Sequence, residues 1–206
     1  MNKNVMKSAA FVLAASAIFF STGCGGEAGS SMATPKKKLS VAVEASYAPF
    51  EYKDEDGHII GFDVDLMKAV AQKMDAEAEF NNLPFEQIFR FVGDKKIQLG
   101  ISAIGATEER KKHVSFSDPY YSLGSYVIVV RPGTEGIHGP EDLKGKIVAA
   151  ERGTTNEVKA KELSPARTVL PDYYKNVFKV VEDGEADAAI VDEPGIVEID
   201  NTLYAD

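Results

Sequence analysis

The stretch 101–121, reading ISAIGATEERKKHVSFSDPYY, carries the residue types with the clearest capacity for chemistry. At its centre Thr107 precedes Glu108 and Glu109, the composition of a helix N-cap and first turn, and Arg110 lies one turn further in. A guanidinium beside the N–H groups of a helix start suits a carboxylate, because a planar fork of donors holds two oxygens at once. An exposed basic turn has the same composition, so Arg110-Lys111-Lys112 does not decide the matter alone. Other residues change the odds. Glu44, Ser102 and Arg110 stand at or just beyond the ends of apolar strand candidates, where ligands collect in parallel sheets. Gly153-Thr154-Thr155 opens a helix after a strand, a second place friendly to anions, and Asp192 closes an apolar strand. A cleft lined by such groups could receive both ends of a zwitterion.

Other chemistries lack support. His58, His113 and His138 are scattered and have no ligand spacing with the single cysteine, Cys24, so no metal site is expected. Asp54, Glu55 and Asp56 read as a solvated turn, since the later positions of a calcium loop do not follow. There is no phosphate-binding loop, no dinucleotide-type glycine fingerprint and no Gly-x-Ser-x-Gly elbow, so neither a cofactor nor an enzymatic motif is expected.

The elements that must position these residues alternate. Strands are expected at 39–43, 78–80, 99–104 and 125–130, with helices at 64–74 and 85–92. Asp63 is the expected N-cap of the first helix, with Phe62, Leu66, Ala69 and Val70 on its core face, and Gly93 is the expected C-cap of the second. Residues 46–52 form an aromatic turn around Pro49, and 54–57 carry a polar hairpin signal. The Gly- and Pro-rich segment 131–145 reads as a boundary. A second set follows: strands at 146–150, 167–170 and 186–191, with helices at 156–163 and 173–182. Strands alternating with amphipathic helices imply sheets with parallel strands, here in two α/β lobes.

Length and composition fit that picture. The chain has 206 residues, 44% hydrophobic and 27% charged, ordinary for a soluble globular protein with a sizeable core. Its 32 acids against 23 bases give a net charge of -9, which offers no overall electrostatic footprint for nucleic acid. Lys3 and Lys7 precede the apolar run 9–20, too short to span a bilayer comfortably but suited to a signal peptide. Export is therefore expected. The following GGEAGSSMATPKKK has the composition of a flexible tether.

Five blocks, SYAPFEY, GFDVDLMKAVAQKM, TEERKKHVSFSDPYYS, EDLKGKIVAAERGTT and GEADAAIVDEP, occur in the order and spacing of the amino-acid-binding proteins of ABC importers. The chain resembles that family from about Leu39 to Asn201. The resemblance implies an α/β, two-lobed clamshell of the periplasmic-binding type (type II) that closes by hinge bending on a free amino acid. Arg110 would grip the α-carboxylate, helped by groups around Ser102, Ala103 and Gly105 and by Thr154 and Thr155 of the second lobe. Asp192 would take the α-ammonium. Tyr47 and Phe85 match positions where aromatic rings sandwich the ligand side chain, although the helical spacing of Phe85 would equally bury it in core. Glu44 matches the position where polar- and basic-amino-acid binders place an acid facing that side chain, making arginine or lysine the first choice and glutamine or histidine the second.

Ser21-Thr22-Gly23-Cys24 resembles a lipobox, with Ser21 where an aliphatic residue is usual. It implies a signal peptide at 1–23, lipidation at Cys24, and a tether at 24–38 holding the protein to the membrane, facing the periplasm or cell exterior. Lobe 1 would then be 39–124 and lobe 2 125–206, with a hinge strand near 125–130. The implied partners are a free amino acid and the membrane subunits of a permease, and the implied state is a monomer. Three departures matter. Gly105 stands where many relatives have Ser or Thr; Glu151 and Val191 differ at positions facing the side chain. Relatives also continue past the Asp192 segment and cross back to the first lobe, so the C-terminal elements that close that lobe are expected to be missing and its apolar surface exposed. Two other classes compete: an enzyme on the same fold resembling the cyclohexadienyl dehydratases, with Glu44 as its acid, and an amino-acid-sensing module.

Overall fold

The computed structural model describes residues 36–165 and 167–196. The signal peptide and Cys24 lie outside the described residues. Three strands, β1 (Lys37–Val43), β4 (Ala76–Asn82) and β5 (Leu99–Gly100), form a parallel sheet in the order β4-β1-β5. A small antiparallel hairpin, β2 (Tyr52–Lys53) with β3 (Ile59–Ile60), sits between β1 and the first helix in the chain. Asp54 shapes its turn by accepting from the N–H groups of Asp56 at 3.1 Å and His58 at 2.7 Å.

Central β1 is covered on both faces, which explains why Val41, Ala42 and Val43 form an unbroken buried run. Alternation along it splits the core. Leu39 and Val41 pack with Met67 and Ala71 of α1 (Phe62–Lys73), while Ala42 packs with Phe85 and Ile88 of α2 (Phe85–Gly93). A single-turn helix, α3 (Glu108–Lys111), follows, capped by Thr107 as expected.

The second sheet contains β6 (Tyr126–Val130), β7 (Ile147–Ala149), β8 (Arg167–Val169) and β9 (Ala188–Asp192) in the order β6-β9-β7-β8, with only β6 antiparallel to its neighbour. Helix α5 (Lys175–Glu182) covers one face through Val177 and Val181 against Ala149, Ala189 and Val191. Helix α4 (Thr155–Leu163) and the turn Pro140–Leu143 cover the other, where Ala160 and Leu143 meet Val148, Ala188 and Ile190. The architecture is the two-lobed α/β one expected.

Several local expectations are corrected. Helix α1 starts at Phe62 with Gly61 as its N-cap, and Asp63 points inward from the first turn instead of capping it. Gly61 is required there: its φ is 125°, and a Cβ would collide with the Phe50 carbonyl. The buried stripe is Val64, Met67 and Ala71, whereas Phe62 and Val70 are 47% and 40% exposed. The displaced face is not wasted on solvent alone. Leu66, Val70 and Met74 line an apolar groove of about 460 Å³ beside β5, together with Phe89, Val92 and Ile104.

The expected strand 99–104 ends at Gly100, because Ala103 takes φ 44° and turns its N–H to Asp63, which removes it from any ladder. Gly93 belongs to α2, whose C-cap is Asp94. Segment 131–145 does not separate the sheets, since β6 before it and β7 after it lie in the same sheet and its Leu143 is core. Lys37 and Lys38, placed in the tether by the sequence, pair with Ala76 and Glu77 as the first residues of β1.

Candidate functional site

A small cavity of about 50 Å³ lies between the lobes. Glu44, Tyr47, Phe85, Ser102, Ala103, Gly105 and Arg110 line it from the first lobe, and Thr154, Thr155 and Asp192 from the second. All the residues expected to contact ligand therefore converge. The lobes touch around it: the Lys175 N–H donates to Ser46 Oγ at 3.3 Å, and Arg110 Nη2 donates to the Gly153 carbonyl at 2.9 Å. Gly153, at φ 79°, allows this approach, since a Cβ there would stand 2.6 Å from Glu86 Cβ and 3.0 Å from its Cα.

Arg110 is the site's cation, and it is half-buried. Its Nη1 donates to the Gly105 carbonyl at 2.7 Å, and its guanidinium lies over the rings of Phe89 and Phe85 at 4.6 and 5.1 Å. Burial pulls its pKa down to about 10, still well above neutrality. Two carbonyls and two rings orient the fork without neutralising it, and among the described residues no carboxylate pairs with it. A group so placed favours an incoming anion. Phe85 thus serves two ends: it is packed with Ala42 and Ile88, and its ring supports Arg110 at the cavity wall.

The opposing charge is carboxylate. Asp192, the last residue of β9, accepts from Asn156 Nδ2 at 3.0 Å, and burial raises its pKa. Glu44, one residue past β1, is 1% exposed and accepts from Ser46 Oγ at 2.7 Å; burial lifts its pKa to about 7. Glu151, two residues past β7, and Glu51 are also buried, and desolvation raises both well above the carboxyl range. Behind the cavity Asp63 Oδ2 accepts from Ala103 N at 2.7 Å and Tyr120 Oη at 2.7 Å, fixing the turn that leads to Gly105.

Two expected contacts have other work to do. The Ser102 hydroxyl donates to Glu51 Oε1 at 2.8 Å and accepts from the Glu44 N–H at 3.0 Å, tying two acids together. Thr154 is the N-cap of α4, its hydroxyl accepting from Glu157 N at 3.2 Å and donating to the Glu151 carbonyl at 2.7 Å. Thr155 opens that helix at the cavity wall, where first-turn N–H groups lack intrahelical acceptors. Tyr47 stacks on Phe50 at 5.3 Å and meets Tyr174 edge-on at 4.5 Å, and its buried hydroxyl has no partner among the described residues.

Glu51, Leu123, Asn156 and Tyr174 also line the cavity and were missed by sequence reasoning. Glu51 closes the aromatic turn 46–52, and Asn156 and Tyr174 sit at the starts of α4 and α5, so proximity to a helix start or strand end was their only signal.

The family model for bacterial extracellular solute-binding proteins, family 3, matches residues 39–193. The chain belongs to that family. It is 36% identical to the arginine-binding extracellular protein ArtP of Bacillus subtilis (strain 168) over 191 residues, 91% of this chain and 74% of that protein. The solved structure of an ancestral arginine-binding protein bound to arginine superposes with a TM-score of 0.78 at 34% identity, covering 84% of this chain and 77% of the other. An ancestral amino-acid-binding protein described as a precursor of cyclohexadienyl dehydratase matches with a TM-score of 0.75 at 34% identity, covering 81% of this chain and 74% of that one.

Proposed function

We infer that this chain captures a free basic amino acid, arginine first, outside the cell and delivers it to an ABC permease. The observation that carries the reading is the charge arrangement: one cation, Arg110, and the acids Asp192, Glu44 and Glu151 line a single cavity between two lobes. The α-carboxylate would sit on Arg110 and the first-turn N–H groups of α4, and the α-ammonium on Asp192. A side-chain cation would face Glu44, between the rings of Tyr47 and Phe85. The names of the arginine-binding relatives support the ligand class. Export fits the signal-like run before Cys24, and anchoring to the membrane through a lipid on Cys24, with the protein acting as a monomer, completes the reading. Among the described residues no helix is long and apolar enough to cross a membrane.

Isothermal titration with a panel of amino acids tests this. Arg110→Ala should weaken binding of every amino acid by about thirtyfold or more, since it removes a charge-assisted contact of roughly 2–5 kcal/mol. Glu44→Gln should weaken arginine and lysine selectively. Undiminished binding by Arg110→Ala rejects the anchor.

One observation favours a second reading. A buried carboxyl lifted to about 7, as Glu44 is, can donate a proton at neutral pH, which is what a dehydratase's general acid requires. Turnover of arogenate or prephenate would establish that activity; ligand recovered unchanged supports transport.

A further inference from the structure

The cavity contains more acid than a simple amino acid needs. Asp192 suffices for the ammonium and Glu44 for a side-chain cation, which leaves Glu151 without a task. Glu151 is 6% exposed, lines the cavity from the second lobe, and its Oε1 has no hydrogen-bond partner among the described residues. An orphaned oxygen on a buried acid is costly, on the order of 1–3 kcal/mol, unless something arrives to satisfy it. Its position is informative. Glu44 enters from the end of β1 and Glu151 from the end of β7, and both line the one cavity. The two acids, one from each lobe, therefore share one small cavity.

We propose that Glu151 is a specificity-determining residue that acts with Glu44 as a cross-lobe carboxylate clamp for a delocalised side-chain cation, a guanidinium. The proposal deepens the amino-acid-binding reading and rests on it. A guanidinium offers N–H donors on several edges in one plane, so it can satisfy carboxylates approaching from two directions, whereas an ammonium is a compact point charge. A neutral urea group of the same shape, as in citrulline, brings a carbonyl oxygen toward one of the two acids and loses a donor. The clamp therefore selects against neutral isosteres by leaving an acid unsatisfied, and it makes full closure of the lobes depend on the ligand's charge.

The clamp also implies an exchange. Two carboxyl groups in one water-poor pocket do not both ionise, so without a cation between them the pair keeps a proton. An entering guanidinium replaces that proton, which leaves to solvent. The surrounding groups agree in direction: Asp192 from β9 and Glu44 itself push Glu151 up, and Glu51 adds to the acid load around the hydroxyl of Tyr47. Lys175 at the start of α5 and the Ser46 hydroxyl pull Glu44 the other way. Arg110 of α3, on the same cavity, is the cation assigned to the α-carboxylate.

Calorimetry of the intact chain with arginine and citrulline, each in two buffers of different ionisation enthalpy near pH 7, tests the proposal. Wild type should prefer arginine and release up to about one proton with it, but none with citrulline. Glu151→Gln keeps the side-chain volume and should lower the arginine-over-citrulline preference by about tenfold or more while suppressing proton release. Citrulline binding by the variant reports a folded site, and Glu151→Asp should restore part of the preference. A preference within twofold of wild type, or unchanged proton release, overturns the clamp while leaving the binding reading intact. Wild type that binds no amino acid overturns both.

Discussion

At the scale of single residues, the site is a contrast between a guanidinium held by carbonyls and rings and carboxyl groups held by hydroxyls and amides. Arg110 keeps its charge because its partners, Gly105 and Gly153 oxygens and two phenylalanine rings, are neutral. Gly105 beside it is open to improvement. A Cβ there would meet only Arg110 Nη1, at 3.8 Å, an ordinary contact. Gly105→Ser should add a hydroxyl donor toward a bound carboxylate and tighten arginine binding by about 0.5–1.5 kcal/mol. Titration calorimetry reads the change, and weaker binding would show that the hydroxyl is misplaced. At this scale the sequence was most legible. Arg110, Asp192 and Glu44 were singled out because charged residues at strand ends and helix starts are positioned by topology. Glu51 and Asn156 were not, because an acid inside a turn and an amide in a helix look the same whether they face solvent or a cleft. Only the fold distinguishes them.

At the scale of elements, the site depends on segments that stop being regular where they meet it. Strand β5 ends at Gly100, and the chain then turns through Ala103, whose N–H is held by Asp63 from the first turn of α1. Asp63 also receives the Tyr120 hydroxyl, so one buried carboxylate ties α1, the turn after β5 and the segment after α3 together. Asp63→Ala should leave the partly buried Ala103 amide and Tyr120 hydroxyl without their acceptor, costing up to about 1–3 kcal/mol each and lowering the thermal midpoint, with a loss of ligand affinity as the turn loosens. An unchanged midpoint and affinity would remove Asp63 from that role.

One close approach between the lobes is Gly153 against the start of α2. Gly153→Ala should hold the lobes apart, because the added carbon meets Glu86 at Cβ and at backbone Cα and sits at a strained φ. Small-angle scattering with saturating arginine should show a larger radius of gyration than wild type, and an equal radius would contradict the contact. Element type and order were readable from hydrophobic period, but the core face of α1 was not. Phe62 and Val70 are at least as bulky as Val64 and Ala71, yet Val64, Met67 and Ala71 are the buried positions, with Leu66 packed beside them, because the helix start is docked by backbone bonds from Phe62 N to the Pro49 carbonyl and Asp63 N to the Phe50 carbonyl. Long-range backbone docking of that kind leaves no local trace.

At the scale of the whole molecule, four buried acids and the half-buried Asp192 give stability a definite pH dependence. Desolvation raises Glu44, Glu51, Asp63, Glu151 and Asp192, so the folded chain keeps protons that the unfolded chain releases in the ordinary carboxyl range. Folding stability should be highest below the unfolded carboxyl values and fall as pH rises through the raised carboxyl values, about 7 for Glu44. A cationic ligand opposes this loss. The rise in thermal midpoint produced by arginine should therefore be larger at about pH 8 than at about pH 5.5, and a rise independent of pH would contradict it.

The central claim is that a cation on one lobe and an anion on the other take the two poles of an amino acid. A crystal structure with arginine tests it most directly. The account predicts the α-carboxylate on Arg110, the ammonium on Asp192 and the guanidinium at Glu44 and Glu151. Arginine bound elsewhere, or with its carboxylate away from Arg110, would contradict it.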